Sequence, residues 1–254
     1  MGKFTTILLI FVILISTTLS FAQISRRPQL ELYSGFAFPQ QPENFKNYWK
    51  VGLSLNAQYV FFPSRRFGIP IFIGVEGFTV NQDAINSSFN DALVGFRIYD
   101  NLTPVTQITE ANVETEGSAG DFKFGVGLRP YLTSPESSVQ LFLFGNVSYN
   151  IISIKTEFKS ATITYRDLVT DQSTNTSLTA RELEVQDFET KNETSESKVG
   201  LGFGLGVELP AGGSINLILQ GMANIIFADY EELSRTDDEK KHLSFIGLTF
   251  GIAF

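Results

Sequence analysis

The sequence predicts an all-β protein, an eight-stranded antiparallel up-and-down transmembrane β-barrel preceded by a cleaved signal peptide. Three observations predict it. The first is the C-terminal stretch 241–254, KHLSFIGLTFGIAF. There Ile246, Leu248, Phe250, Ile252 and Phe254 share one face of an extended strand, and Phe245, Gly247, Thr249, Gly251 and Ala253 share the other. One stripe is bulky and greasy and the other is small and mildly polar. A strand needs that pattern when lipid lies on one side and a narrow packed lumen on the other. The second observation is that the same two-residue rhythm returns in seven earlier segments. The third is that the connections between segments alternate between short and long.

The chain begins with Lys3, an apolar run over 4–15 and the small residues of Ser20-Phe21-Ala22. These are the three parts of a secretory signal, with the cut expected after Ala22, so 1–22 is removed and 23–254 is the barrel. The run is too short to span a membrane comfortably as a helix, and no basic stop-transfer cluster follows it. Removing Lys3 takes the formal charge from −8 to −9. An acidic exported chain is a poor nucleic-acid binder. With no cysteine, disulfides and thiolate–metal sites are excluded. No cofactor or metal is implied.

Strands are expected at 29–38, 49–62, 69–80, 121–132, 139–154, 197–209, 214–227 and 241–254. In the first, Leu30, Leu32, Phe36 and Phe38 oppose Glu31, Tyr33, Gly35 and Ala37. In the second, Val51, Leu53, Leu55, Tyr59 and Phe61 oppose Gly52, Ser54, Asn56 and Gln58. In the third, Ile71, Ile73 and Val75 oppose Phe72, Gly74, Glu76 and Phe78. The fourth turns Phe122, Phe124, Val126 and Leu128 outward and Lys123, Gly125, Gly127, Arg129 and Tyr131 inward. The fifth places Phe142 and Phe144 inward between the glycines of its two neighbours, where large rings can lie over bare backbone. In the sixth, Val199, Leu201, Phe203, Leu205 and Val207 alternate with Lys198, Gly200, Gly202, Gly204, Gly206 and Glu208. The seventh carries Leu217, Leu219 and Ile225 outward and Gln220, Met222 and Asn224 inward.

Each segment is long enough for a tilted strand to cross a bilayer. Connections after the second, fourth and sixth strands are short and carry Pro or Gly. The others are longer, and 81–120 and 155–196 are long polar loops. Short turns belong in the periplasm and long loops outside the cell, so both termini are expected in the periplasm. Ile163, Tyr165 and Leu168, with Leu183, Val185 and Phe188, suggest that part of the second loop continues as a hairpin above the membrane.

A signal ending in Phe-Ala-Gln, eight alternating strands and a terminal Ile-Ala-Phe resemble the small outer-membrane β-barrel families of Gram-negative bacteria. The PorT-type barrels of the Bacteroidota are most similar in style, with the OmpX and OmpA barrels more distant. The resemblance implies that Phe250 and Phe254 carry the signal read by the barrel-assembly machinery. It also implies outer-membrane lipid and lipopolysaccharide as surroundings, and the PorT likeness suggests a part in protein secretion.

Three sets of residues are candidate sites. The inward charges Glu31, Glu76, Lys123, Arg129, Lys198 and Glu208 could line a solute or proton path or could pair and plug the lumen, which is the expected outcome in so narrow a barrel. Glu31, Arg129 and Glu208 are expected near the periplasmic end, Glu76 near mid-height, and Lys123 and Lys198 near the outer end. His242 and Ser244 share the lipid-facing side and resemble the His-x-Ser of the PagL-type lipid A deacylases. A serine hydrolase also needs an acid to orient its base. Acids occur only before the pair, for example at Asp229, Glu231 or Glu232, whereas that family's acid follows it. The outer loops are the third set, suited to a protein partner. The expected role is a non-enzymatic structural or adaptor barrel in a secretion or uptake complex. A lipid A-modifying hydrolase and a narrow pore are the alternatives.

Overall fold

A computed structural model describes residues 26–100, 103–167, 180–228 and 242–254. The expected signal peptide, its cut and the acids of 229–241 lie outside the described residues. Among the described residues nine strands form: β1 Gln29–Gln41, β2 Gly52–Ser64, β3 Phe67–Thr79, β4 Arg97–Asp100, β5 Thr103–Pro130, β6 Gln140–Asp167, β7 Ala180–Gly212, β8 Ile215–Ile226 and β9 Leu243–Ala253. Helices α1 Glu43–Tyr48 and α2 Gln82–Leu93 lie between strands.

Eight of the strands make a closed antiparallel ring. Pairing runs β3-β2-β1-β9-β8-β7-β6-β5, and a β3–β5 ladder completes the circle. The closing pairs include Glu31↔Ala253 and Glu76↔Asp121. Closure leaves no edge within the ring, so every ladder donor and acceptor there has a neighbour. The remaining strand, β4, pairs only with the far part of β5.

The alternation read in the sequence becomes inside and outside. Leu53, Ile73, Val126, Phe203 and Phe250 all point out, and Leu53 and Phe203 are more than half exposed. Glu31, Glu76, Lys123, Arg129 and Glu208 are buried on the inner side. A wall that is apolar outside and charged inside is stable in hydrocarbon and not in water, so the ring is a membrane-spanning barrel.

One end of the ring carries the short turns. Among them, Gly212 and Gly213 take φ values of 116° and 61°, which favour glycine. The opposite end is drawn out. Here the structure departs from the expected loops 81–120 and 155–196. β5 and β6 each run for 28 residues and β7 for 33, so most of those polar segments are strand standing beyond the apolar belt. The polar composition suggested loop over 81–120, whereas the hairpin expected within the second segment forms as the outer parts of β6 and β7, paired as far as Arg166↔Ala180. Strands that leave the lipid no longer need a greasy face, and the backbone ladder between β6 and β7, with Ile163 opposite Leu183 and Ala161 opposite Val185, sustains them. The first polar segment also contains α2, which the sequence reading did not anticipate.

Candidate functional site

The lumen is filled in layers. At the turn end, Arg129 on β5 donates to Glu31 on β1 through both terminal guanidinium nitrogens, at 2.7 and 2.9 Å. Tyr33 donates to the same carboxylate at 2.5 Å, and Gln58 does so from β2. The guanidinium also lies 4.5 Å from the centre of the Phe142 ring. A second knot surrounds Glu208 on β7. It accepts from Tyr131 at 3.0 Å, from Asn216 at 2.6 Å and from Arg26. Arg26 sits over the Phe62 and Tyr131 rings, 4.8 and 5.0 Å from their centres. The charges that the sequence places at this end are therefore brought together in pairs. Arg26 and Tyr131 complete the knot.

Above them lies an aromatic layer. Phe142 covers Gly206 and Phe144 covers Gly204, so a Cβ on Gly204 would lie 2.7 Å from Phe144 Cε1. On the other side the expected pairing changes. Gly125 is covered by Phe72 of β3, not by a ring of β6. The stagger of the closed ring brings Phe72 opposite Gly125.

Next comes a polar layer of Asn56, Gln58, Asn146, Gln220 and Thr249 around a cavity of about 20 Å³. That is room for about one water molecule. Lys123, Glu76 and Asp121 follow, with Lys123 Nζ 2.5 Å from Glu76 Oε1. Glu76 is the tenth of the thirteen residues of β3, so it lies toward the extended end and not at mid-height as expected. Its partner on β2, Ser54, is only the third residue of that strand, so this row of the barrel lies close to the extended end. Lys198 does not join this cluster. It pairs with Glu196 at 3.1 Å near the rim, because a partner two positions along the same strand costs less ordering than one across the lumen.

Phe45 of α1 closes the extended end. It is 1% exposed, packs edge-on against Phe78 with centroids 5.1 Å apart, and tops a cluster that includes Phe245, Ile152, Ile226 and Leu243.

Beyond the belt, α2 is fastened along the edge of β5. Thr115 N donates to Gln82 Oε1 at 2.9 Å, Val113 N to Asn86 Oδ1 at 2.9 Å and Ala111 N to Asn90 Oδ1 at 3.0 Å. Residues four apart on a helix rise about 6 Å, and residues two apart on a strand rise about 6.6 Å. The two repeats match closely enough for three successive amides to read three alternate backbone N–H groups. Val80 N continues the ladder to Gly117 O at 3.2 Å, and Gly95 and Phe96 take over at Ile108. This edge of β5 is thus covered along its length by β3, α2 and β4.

Ion pairs on the extended sheet include Lys155 with Glu193 at 2.7 Å and Lys159 with Glu116. The hydrogen bond from Lys155 holds the Glu193 carboxyl below the usual range, and the bond to Glu116 holds the Lys159 ammonium above its usual value.

His242 and Ser244 share the outer side of the wall as expected. The His242 ring lies edge-on to Phe227, centroids 4.9 Å apart, and among the described residues no hydrogen bond joins it to Ser244. Phe250 and Phe254 are both about half exposed on the outer face of the last strand.

Arg26, Asp121 and α2 were not singled out in the sequence. Asp121 shares the parity of Lys123 and could have been placed inward on that ground. Arg26 precedes the first alternating run and gave no signal.

Ring, belt and filled lumen together define a small membrane β-barrel protein. No protein-family model and no curated protein matches this chain. Among solved structures it is similar to Neisserial surface protein A, with 11% identity, 91% of this chain and 98% of that one covered, and a TM-score of 0.46. It is also similar to a major outer membrane protein from Thermus thermophilus, with 12% identity, coverage of 90% and 100%, and a TM-score of 0.44. Ail, the attachment invasion locus protein of Yersinia pestis, is a third, at 8% identity, coverage of 90% and 100%, and 0.40.

Proposed function

We propose that this chain is a non-enzymatic barrel of the bacterial outer membrane, with both termini in the periplasm, that serves as an anchor for the sheet it raises outside the cell. The observation that carries this reading is the fastening of α2 to β5. A mere connector needs no three-amide ladder, whereas a platform offered to a protein partner needs a rigid covered edge. The filled lumen favours an anchor over a pore, since buried ion pairs and the Phe142 and Phe144 rings pack across it and its polar layer encloses a cavity of about 20 Å³. The PorT-like style of the sequence makes a secretion or uptake complex the setting, with lipopolysaccharide around the wall and the assembly machinery reading Phe250 and Phe254.

The test is affinity purification from mild detergent of the full chain and of a variant in which 156–192 is replaced by a tight turn between Lys155 and Glu193, a cross-strand pair. A stoichiometric partner recovered with the first and lost with the second is expected. Identical recovery with both would remove the platform from the account.

A further inference from the structure

The buried charges of the lumen form two clusters, and one of them does not balance. At the turn end Arg26 and Arg129 meet Glu31 and Glu208. At the extended end Lys123 alone faces Glu76 and Asp121, each of the three being 3% exposed. Glu76 and Asp121 are direct cross-strand partners on β3 and β5. Side chains so placed have Cβ atoms about 4.5–5.5 Å apart, and like charges there repel.

The oxygens are unequally satisfied. Glu76 Oε1 takes Lys123 at 2.5 Å and Ser54 at 3.1 Å. With the Asn150 amide turned so that its nitrogen faces the carboxylate, Asn150 donates to Asp121 Oδ2 at 3.2 Å. Glu76 Oε2 and Asp121 Oδ1 are buried without a partner. No second cation comes from the surrounding elements among the described residues. β2 brings Ser54, β6 brings Asn150, β9 brings the Phe245 ring 5.5 Å from Lys123, and Lys198 of β7 is engaged with Glu196.

We propose that Glu76 and Asp121 hold one exchangeable proton between them, a proton-binding site built into the extended end of the lumen. The proton comes from water. An O–H bond forms on one carboxyl, the facing carboxylate accepts its hydrogen bond, and release returns the proton to water. Each residue keeps one buried oxygen without a partner, so either carboxyl can take the proton. With it in place the cluster carries one positive and one negative charge, as the turn-end pairs do, and no net charge is left in a medium that penalises it. A metal ion is less well suited, since no group of three or more His, Cys, Asp and Glu gathers among the described residues.

Infrared spectroscopy of the barrel in lipid vesicles at neutral pH tests this. The wild type should show the carbonyl band of a protonated carboxyl, shifted by deuterium exchange. Asp121→Asn and Glu76→Gln should each lose it while keeping the heat-modifiable gel mobility of a folded barrel. A wild type without the band, as when a sodium ion takes the proton's place, overturns the proposal. So does a band that persists in both folded variants. Should neither variant fold, the wild-type spectrum decides, because the band must bleach as a single proton when the pH is raised.

Discussion

Arg129 and Glu31 stand 98 positions apart in the chain and meet as a two-pronged ion pair across the lumen, at 2.7 and 2.9 Å. The guanidinium is 1% exposed and the carboxylate fully buried. Removing one partner strands the other charge in the barrel, at a cost of about 3–5 kcal/mol. Glu31→Ala is therefore expected to lower the urea stability of the barrel in lipid by about that amount. The double variant Glu31→Gln with Arg129→Met should recover much of the loss, because it leaves no unpaired charge. A double variant no better than the single one would show that packing around Phe142, and not charge pairing, dominates.

Asn86 carries the middle rung of the ladder between α2 and β5. Asn86→Leu leaves Val113 N without its acceptor, which costs roughly 1 kcal/mol. Amide exchange at Val113 should quicken about fivefold, the factor that such a cost makes in a local opening equilibrium. Asn86→Asp keeps an acceptor oxygen and should preserve the protection. Equal exchange in all three proteins would detach α2 from its assigned role.

Phe45 seals the extended end and is nearly inaccessible. Phe45→Ala should cost about 3–5 kcal/mol, as loss of a buried ring does. Planar-bilayer recordings should nevertheless show no stable conductance in either protein, because the ion pairs and the rings of Phe142 and Phe144 still fill the lumen. Steady channels in the variant alone would make α1 the sole barrier.

Glu193 lies on the exposed sheet, and Lys155 holds its carboxyl below the ordinary range. A carboxyl lowered in the folded state adds stability above its unfolded value of about 4.3, and that contribution disappears as the pH falls through the folded value. Carbon-detected titration should find Glu193 ionising at lower pH than an unpaired glutamate, with the difference shrinking in added salt. An unshifted Glu193 would mean that the pair with Lys155 is not formed in solution.

His242 rests on Phe227 at the outer wall, so His242→Ala and Ser244→Ala are expected to leave the lipid A mass spectrum as it is in cells carrying the wild type. A difference between those spectra would reopen the hydrolase reading.

Much of this architecture was legible because alternation is a local property. Leu30, Leu32, Phe36 and Phe38 declare their side of the wall from positions two or four apart, and a one-residue slip would invert every one of them. Beyond the bilayer that signal fades, since neither face of β5 near Glu110 or of β6 near Lys159 must be greasy. Strand and loop then look alike in composition, and cross-strand pairing alone distinguishes them. α2 was hidden for a related reason. Gln82, Asn86 and Asn90 read as loop residues, and their spacing acquires meaning only beside Ala111, Val113 and Thr115.

By itself the sequence determined the number of crossings, the side each residue takes and the end where most of the charges would lie, because these follow from a two-residue period and from where the turns fall. The tertiary structure alone decided which charges meet. Arg129 finds Glu31, Arg26 finds Glu208 across 182 positions, and Lys198 turns aside to Glu196. Those choices depend on how far each strand is staggered when the ring closes, and stagger is a property of all eight ladders together.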